Sequence, residues 1–200
     1  MRYYSTRGDD GATSFGRGFG QDIRVQKSEL CMEFVGALDE AQAALGFAAS
    51  EAHTLSEEYN QLCKVFSCLT CTQRLIFEAG TVVMETASKE LAQKWSWSEQ
   101  LTEIERLCEQ FAPTKTLRDF VLPGGSELAA RIELARVAIR RLERVYCRLA
   151  AAETEVRIEA PSLHNLADMD ALPLFNRLSS LAFVLARYSN EVLEVDELSL

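Results

Sequence analysis

The chain has 200 residues, 48% of them apolar, and a net charge of −9. That length predicts one domain burying roughly 70% of the surface its unfolded form exposes, with no need of a disulfide or metal staple. The acidic balance argues against nucleic acid as a partner, and no apolar run approaches the roughly 20 residues of a membrane span.

Taken in chain order, residues 1–27 hold five of the ten glycines (Gly8, Gly11, Gly16, Gly18 and Gly20) and show no period. They predict a loop. Its stretch Thr6-Arg7-Gly8-Asp9-Asp10-Gly11-Ala12-Thr13-Ser14 is rich in glycine and hydroxyls. Turned-in backbone N–H groups and hydroxyl donors suit a polyphosphate. The lysine of a P-loop is missing from it, so taken alone the stretch also fits a disordered tail. From about residue 28 the period becomes helical, with Ser28 as a candidate cap and a seam of Leu30, Phe34, Ala37, Ala41, Ala44 and Ala48. A second helix is predicted over 55–87, and a third over 98–111, capped by Ser98 and ending before Pro113. Leu122-Pro123-Gly124-Gly125 breaks the pattern, and Ser126 caps a fourth helix. The seam of that helix, Leu128, Ile132, Ala135, Ile139, Leu142, Tyr146 and Leu149, alternates steps of four and three, as near-parallel bundle packing requires. Residues 153–171, with Pro161, read as a linker. A fifth helix runs over 172–192 on Leu174, Leu178, Leu181, Leu185, Tyr188 and Val192, before a tail at 193–200. Nothing reads as a sheet. The predicted fold is all-α: a five-helix bundle over 28–192, preceded by the glycine-rich loop.

The six cysteines lie mostly in helical patterns, and Cys68-Leu69-Thr70-Cys71 has no second pair and only two histidines in the whole chain to join it. Reduced, packed thiols are expected, with no metal ligated by protein side chains. The N-terminal residues lack the apolar segment of a secretory signal, which predicts a cytoplasmic location.

The chemistry is carried by a polar stripe on the fourth predicted helix. Arg136, Arg140, Arg141, Arg144 and Arg148 crowd into less than four turns of an acidic protein. Such a cluster is either a solvated face, the reading preferred for Arg148, or a phosphate site. Arg136 and Arg140 border the apolar seam, so burial is expected for them, and a buried arginine needs a carboxylate. Asp39, in an alanine-rich helix, is the predicted partner of Arg136, in a largely buried pair joining the first and fourth helices. The fifth helix carries its own polar stripe, Asn176, Ser180, Phe183, Arg187 and Asn190. Asn176 offers both a donor and an acceptor to a ligand.

Together these segments resemble the PduO-type ATP:corrinoid adenosyltransferases. The resemblance rests on Ser5-Thr6-Arg7-Gly8-Asp9-Asp10-Gly11, on Arg24-Val25-Gln26-Lys27, and on Gly36, Asp39, Glu40 and Gly46. It rests further on Phe120 to Gly125, on Arg136, Arg140, Arg141, Glu143 and Arg144, and on Asn176-Arg177-Leu178-Ser179 with Leu185-Ala186-Arg187-Tyr188. Three features depart from the family pattern. Arg7 abuts Gly8, where the family's basic residue stands two places before the glycine; the stretch from Phe15 to Gln21 is longer and richer in glycine; and the stretch from Glu153 to Phe175 is long.

The resemblance implies transfer of the 5′-deoxyadenosyl group of ATP to the cobalt of a reduced corrinoid, with release of triphosphate. It implies an ATP site of Ser5, Thr6, Arg7, Gly8, Thr13, Ser14, Lys27, Arg140, Arg141, Glu143, Arg144 and Asn176, with magnesium carried on the phosphates. Asp39, Phe120, Arg136 and Arg140 are the implied catalytic set, and Phe120, Phe183 and Arg187 the corrinoid contacts. Phe120 would displace the lower axial ligand of cobalt, although as a residue by itself it also reads as a core aromatic before a turn. A homotrimer with the site between subunits, a flavin-dependent reductase and a B12-dependent acceptor enzyme are the implied partners. A non-catalytic corrinoid carrier on the same fold is the alternative.

Overall fold

The structure is a computed structural model and describes residues 3–4, 6–15, 23–84, 88–117, 119–155 and 171–199. Its elements are strands β1 (Ala12–Phe15) and β2 (Ile23–Gln26) and helices α1 (Leu30–Leu55), α2 (Leu62–Val83), α3 (Lys89–Lys94), α4 (Trp97–Gln110), α5 (Glu127–Glu155) and α6 (Ala171–Val192). Five are long helices; α3 is a short extra turn.

α1 turns a face of small and aliphatic side chains inward: Ala37, Ala41, Leu45, Ala48 and Ala52 are almost wholly buried. Small side chains let helices approach closely, and Gly80 marks the tightest place. A Cβ there would lie 2.5 Å from Leu38 Cδ1. α1 packs between α2 and α5, α5 packs on α6, and α6 on α4. The ion pairs Glu51–Arg131, Glu40–Arg141 and Glu33–Arg148 fix α1 and α5 as antiparallel. Where α1, α5 and α6 meet, the rings of Phe34, Tyr146 and Phe175 touch edge-on or tilted, 5.5–6.3 Å between centroids. Such pairs add about 0.5–1.5 kcal/mol each beyond simple burial.

Five sequence expectations change. The N-terminal segment is not all loop: Thr13 pairs with Val25 and Ser14 with Arg24 in a two-stranded antiparallel ladder. The strands are four residues each, too short for an alternating pattern to stand out. The helix expected over 55–87 is shorter, α2 at Leu62–Val83. α1 continues to Leu55, and the polar run at 56–61 turns the chain back so that α2 can cover α1. The cap of α4 is Ser96, whose Oγ accepts from Glu99 N at 3.3 Å, with Ser98 already helical. α1 starts after Glu29, which serves as its cap position in place of Ser28. The linker expected at 153–171 begins later, because α5 runs to Glu155; residues 156–170 lie outside the described residues.

The turn before α5 is held from α6. Asn190, 3% exposed, accepts from Ser126 N at 2.8 Å and donates to Gly124 O at 3.0 Å. Ser126 Oγ then accepts from Ala129 N and caps α5. Gly125, at φ +95°, has Asn190 Nδ2 and Oδ1 2.6 Å from where a Cβ would stand. Gly125→Ala is therefore expected to cost about 2 kcal/mol, from the left-handed strain and the disturbed buried hydrogen bonds. A urea titration with a lowered midpoint and unchanged slope checks it.

Candidate functional site

The N-terminal residues form a cage of backbone carbonyls closed by two basic side chains. Lys27 N donates to Gly11 O at 2.9 Å, and its Nζ to Gly8 O at 2.7 Å. Arg24 reaches back to Arg7 O at 3.0 Å and grips both oxygens of Asp10 at 2.7–2.8 Å. The Ala12 N–H, and then Arg24, hold the Asp10 carboxyl below its ordinary range. Gly11, at φ +82°, makes the turn into β1. Thr6 O accepts from Asp9 N. Ser5 lies outside the described residues. Thr13 is in the ladder. Ser14 lines a recess on the α1–α2 flank with Asp39, Gln42, Phe77 and Gly80.

The arginine stripe of α5 divides by partner. Arg136 binds Glu133 one turn earlier. Arg141 binds Glu40, and Arg148 binds Glu33. Among the described residues the exposed guanidinium groups of Arg140 and Arg144 have no hydrogen-bond or ion-pair partner. Beside them, Asn176 Nδ2 donates to Glu143 at 3.1 Å while its Oδ1 accepts from Arg177, which in turn binds Glu105. This relay ties α5, α6 and α4 together and fixes the Asn176 amide.

The expected Asp39–Arg136 pair is absent among the described residues. Asp39 is exposed and faces the α2 flank, whereas Arg136 is engaged with Glu133. The register explains it. With Glu40 against Arg141 and Glu51 against Arg131, Asp39 and Arg136 are offset by about 10 Å along the helices. The expected burial of Arg140 is corrected as well, since its side chain is exposed.

A third group lies at the far end of α6. Phe120 is 84% exposed, so it is not a core aromatic of this chain. Arg187 stands 6.0 Å from the Phe183 ring centroid, but its guanidinium is mostly buried, bound to Glu197 and to Lys115 O. In its own chain Arg187 thus acts first on the protein. From Asn176 to Asn190, at the level of the Phe120 loop, is about 21 Å along α6. The sequence-predicted residues that are described therefore fall into three groups, the second and third about 21 Å apart along α6.

Sequence reasoning assigned no role to Asp10, Arg24, Asn190 or Glu197. Arg24 and Asp10 stood inside quoted motifs, and that was the available signal. Glu197 had none, because its partner is chosen by the path of the chain after α6. The CxxC cysteines are free, and burial pushes the Cys68 thiol up to about 12. Among the described residues no cluster of three acidic, histidine or cysteine side chains could hold a metal ion, and no helix is long and apolar enough to cross a membrane.

A model of the cobalamin adenosyltransferase family matches residues 3–189. A corrinoid adenosyltransferase of Mycobacterium tuberculosis is 30% identical over 197 residues, which cover 94% of this chain and 89% of that protein. The corrinoid adenosyltransferase PduO of Salmonella typhimurium is 30% identical over 188 residues, and the match spans 94% of this chain but 49% of that longer protein. A variant PduO-type ATP:corrinoid adenosyltransferase from Lactobacillus reuteri, solved complexed with cobalamin and ATP, superposes with a TM-score of 0.75 at 22% identity, over 100% of this chain and 99% of that one.

Proposed function

The chain belongs to the cobalamin adenosyltransferase family, and from that premise we propose that it transfers the 5′-deoxyadenosyl group of ATP to the cobalt of cob(I)alamin, giving adenosylcobalamin and triphosphate. Cobalt(I) attacks the ribose C5′; the Co–C5′ bond forms as the C5′–O bond breaks, and the electron pair leaves with triphosphate. The protein need supply no nucleophile. It must hold the reactants in line and stabilise charge on the leaving group.

The observation that carries this reading is the pair of unengaged guanidinium groups, Arg140 and Arg144, beside the Glu143–Asn176 relay in a protein of net charge −9. Guanidinium groups that no carboxylate satisfies are ready for phosphate. Arg141, Lys27 and the Thr6–Ser14 segment complete the ATP site, and magnesium arrives on the phosphates. Phe120 covers the lower face of the corrin and removes the axial ligand from cobalt(II), and Phe183 is a further corrinoid contact. Arg187 supports that face.

The site closes between copies, in a homotrimer. In one chain Asn176 and the level of the Phe120 loop stand about 21 Å apart along α6. Asp39 also has no ion-pair partner in its own chain among the described residues, and Phe47, Phe77, Leu134 and Val137 are each at least half exposed. We place the enzyme in the cytoplasm, served by a flavin-dependent reductase and passing product to a B12-dependent enzyme. The test is to mix cob(I)alamin and ATP with the protein and follow the corrinoid spectrum together with triphosphate release. Stoichiometric appearance of both products is expected. Binding of both substrates with no conversion would make the chain a carrier.

A further inference from the structure

Phe120 makes few contacts of its own, being 84% exposed, so something else must hold it in place. The structure supplies a strap. α6 ends in a tight reversal: Val195 N donates to Asn190 O at 2.9 Å, Glu194 N to Glu191 O at 3.2 Å, and Glu194 takes φ +54°. This is the paired-bond helix stop that usually employs glycine. It turns residues 195–199 back beneath the loop that bears Phe120. There Leu122 N donates to Leu198 O at 2.8 Å, and Val121 lies opposite Ser199 in an antiparallel bridge.

The strap is locked by one ion pair. Both Glu197 oxygens accept from Arg187 Nε, at 3.0 and 3.2 Å, with the two side chains 18% and 10% exposed. The same guanidinium donates to Lys115 O at 3.1 Å, on the near side of the loop. Glu191 accepts from Thr114 N at 2.9 Å. The loop is therefore pinned before Phe120 by Arg187 and Glu191, and after it by the strap and by Asn190. The exposed Lys115–Asp196 pair adds little, as surface pairs do.

We propose that Glu197 is a positioning residue for the adenosyl transfer: through Arg187 it locks the C-terminal strap, and the strap sets where Phe120 stands against the corrin. The inference rests on Phe120 acting at the lower face of the corrinoid. Glu197 touches neither substrate. Its effect reaches the reaction only through the placement of one ring.

The test compares Glu197→Gln, Glu197→Asp, deletion of residues 194–200, and Phe120→Ala, all as full bundles with ATP bound. The deletion removes the helix stop at Glu194 and Val195 but leaves α6 itself, which ends at Val192. Two readouts are used: the four-coordinate cob(II)alamin signal in electron paramagnetic resonance, and turnover from cob(II)alamin with reductant against turnover from pre-reduced cob(I)alamin. For Glu197→Gln and the deletion we expect loss of the four-coordinate signal and about a tenfold or greater fall on cob(II)alamin, as misplacement of a reacting group gives. Turnover on cob(I)alamin and the KM for ATP should hold, and Glu197→Asp should recover part of the signal. A full four-coordinate signal in Glu197→Gln, with the loss in Phe120→Ala still confined to cob(II)alamin, overturns the strap and leaves the Phe120 reading intact. Equal losses on both substrates with a lowered Tm overturn it too, and make the pair purely structural. If Phe120→Ala itself shows no selectivity, the reading beneath the proposal fails and the strap falls with it.

Discussion

Arg140→Ala is expected to raise the barrier for ATP-dependent adenosylation by about 2–4 kcal/mol, roughly 30- to 1,000-fold in kcat/KM. The size follows from removing a charge-assisted contact to a phosphate whose negative charge grows as the C5′–O bond breaks. The position makes the experiment clean. Arg140 is exposed and binds no carboxylate among the described residues, so its loss leaves no buried charge behind. Arg136 and Arg141 would be poorer choices, because each holds a glutamate. Arg148→Ala is the matched control: an exposed arginine on the same helix, paired with Glu33, for which a change below about 1 kcal/mol is expected. The measurements are kcat and KM for ATP on pre-reduced cob(I)alamin, with Tm recorded for each variant. Unchanged kinetics in Arg140→Ala would move the triphosphate off α5.

Phe120→Ala is expected to remove most activity from cob(II)alamin while sparing ATP binding and much of the activity on cob(I)alamin. A cob(II) ion must lose its lower ligand before it accepts an electron readily; a cob(I) ion has already lost it. An apolar ring below the corrin excludes water and favours the four-coordinate state. The competing account, truncation of a core side chain, carries a stability cost of about 3–5 kcal/mol for a buried phenylalanine. That cost does not apply to a ring 84% exposed. A melting temperature close to wild type is therefore expected, and the activity difference can be read as chemistry. Equal losses on both substrates would leave the axial-ligand role unassigned.

Much of the bundle was readable from local pattern. The α5 seam from Leu128 to Leu149 is buried at every position, none above 2% exposed, as are Leu174, Leu178, Leu181 and Leu185 on α6. Burying apolar area is favourable wherever it happens, so a side chain's preference for the interior is written in its own identity and in its spacing. The same logic placed the Pro-Gly-Gly turn, the Ser126 cap and the excess of arginine on one helix. Motif order added the family.

Partner choice was not readable in that way. Asp39 and Arg136 looked matched by charge and by their place beside apolar seams. The stagger of α1 against α5 gave Arg141 to Glu40 and left Arg136 to its own helix. The sequence offered Arg187 as a ligand contact but not its protein partner, which the chain reversal after α6 supplies by bringing Glu197 beneath it. The hairpin of β1 and β2 hid because its hydrogen bonds join backbone groups, which every residue carries. Hydrophobic period is a property of one helix, and these residues declare it by themselves. An ion pair, a strand ladder or a three-part site depends on the distance and rotation between elements, which no single segment encodes and which only packing decides.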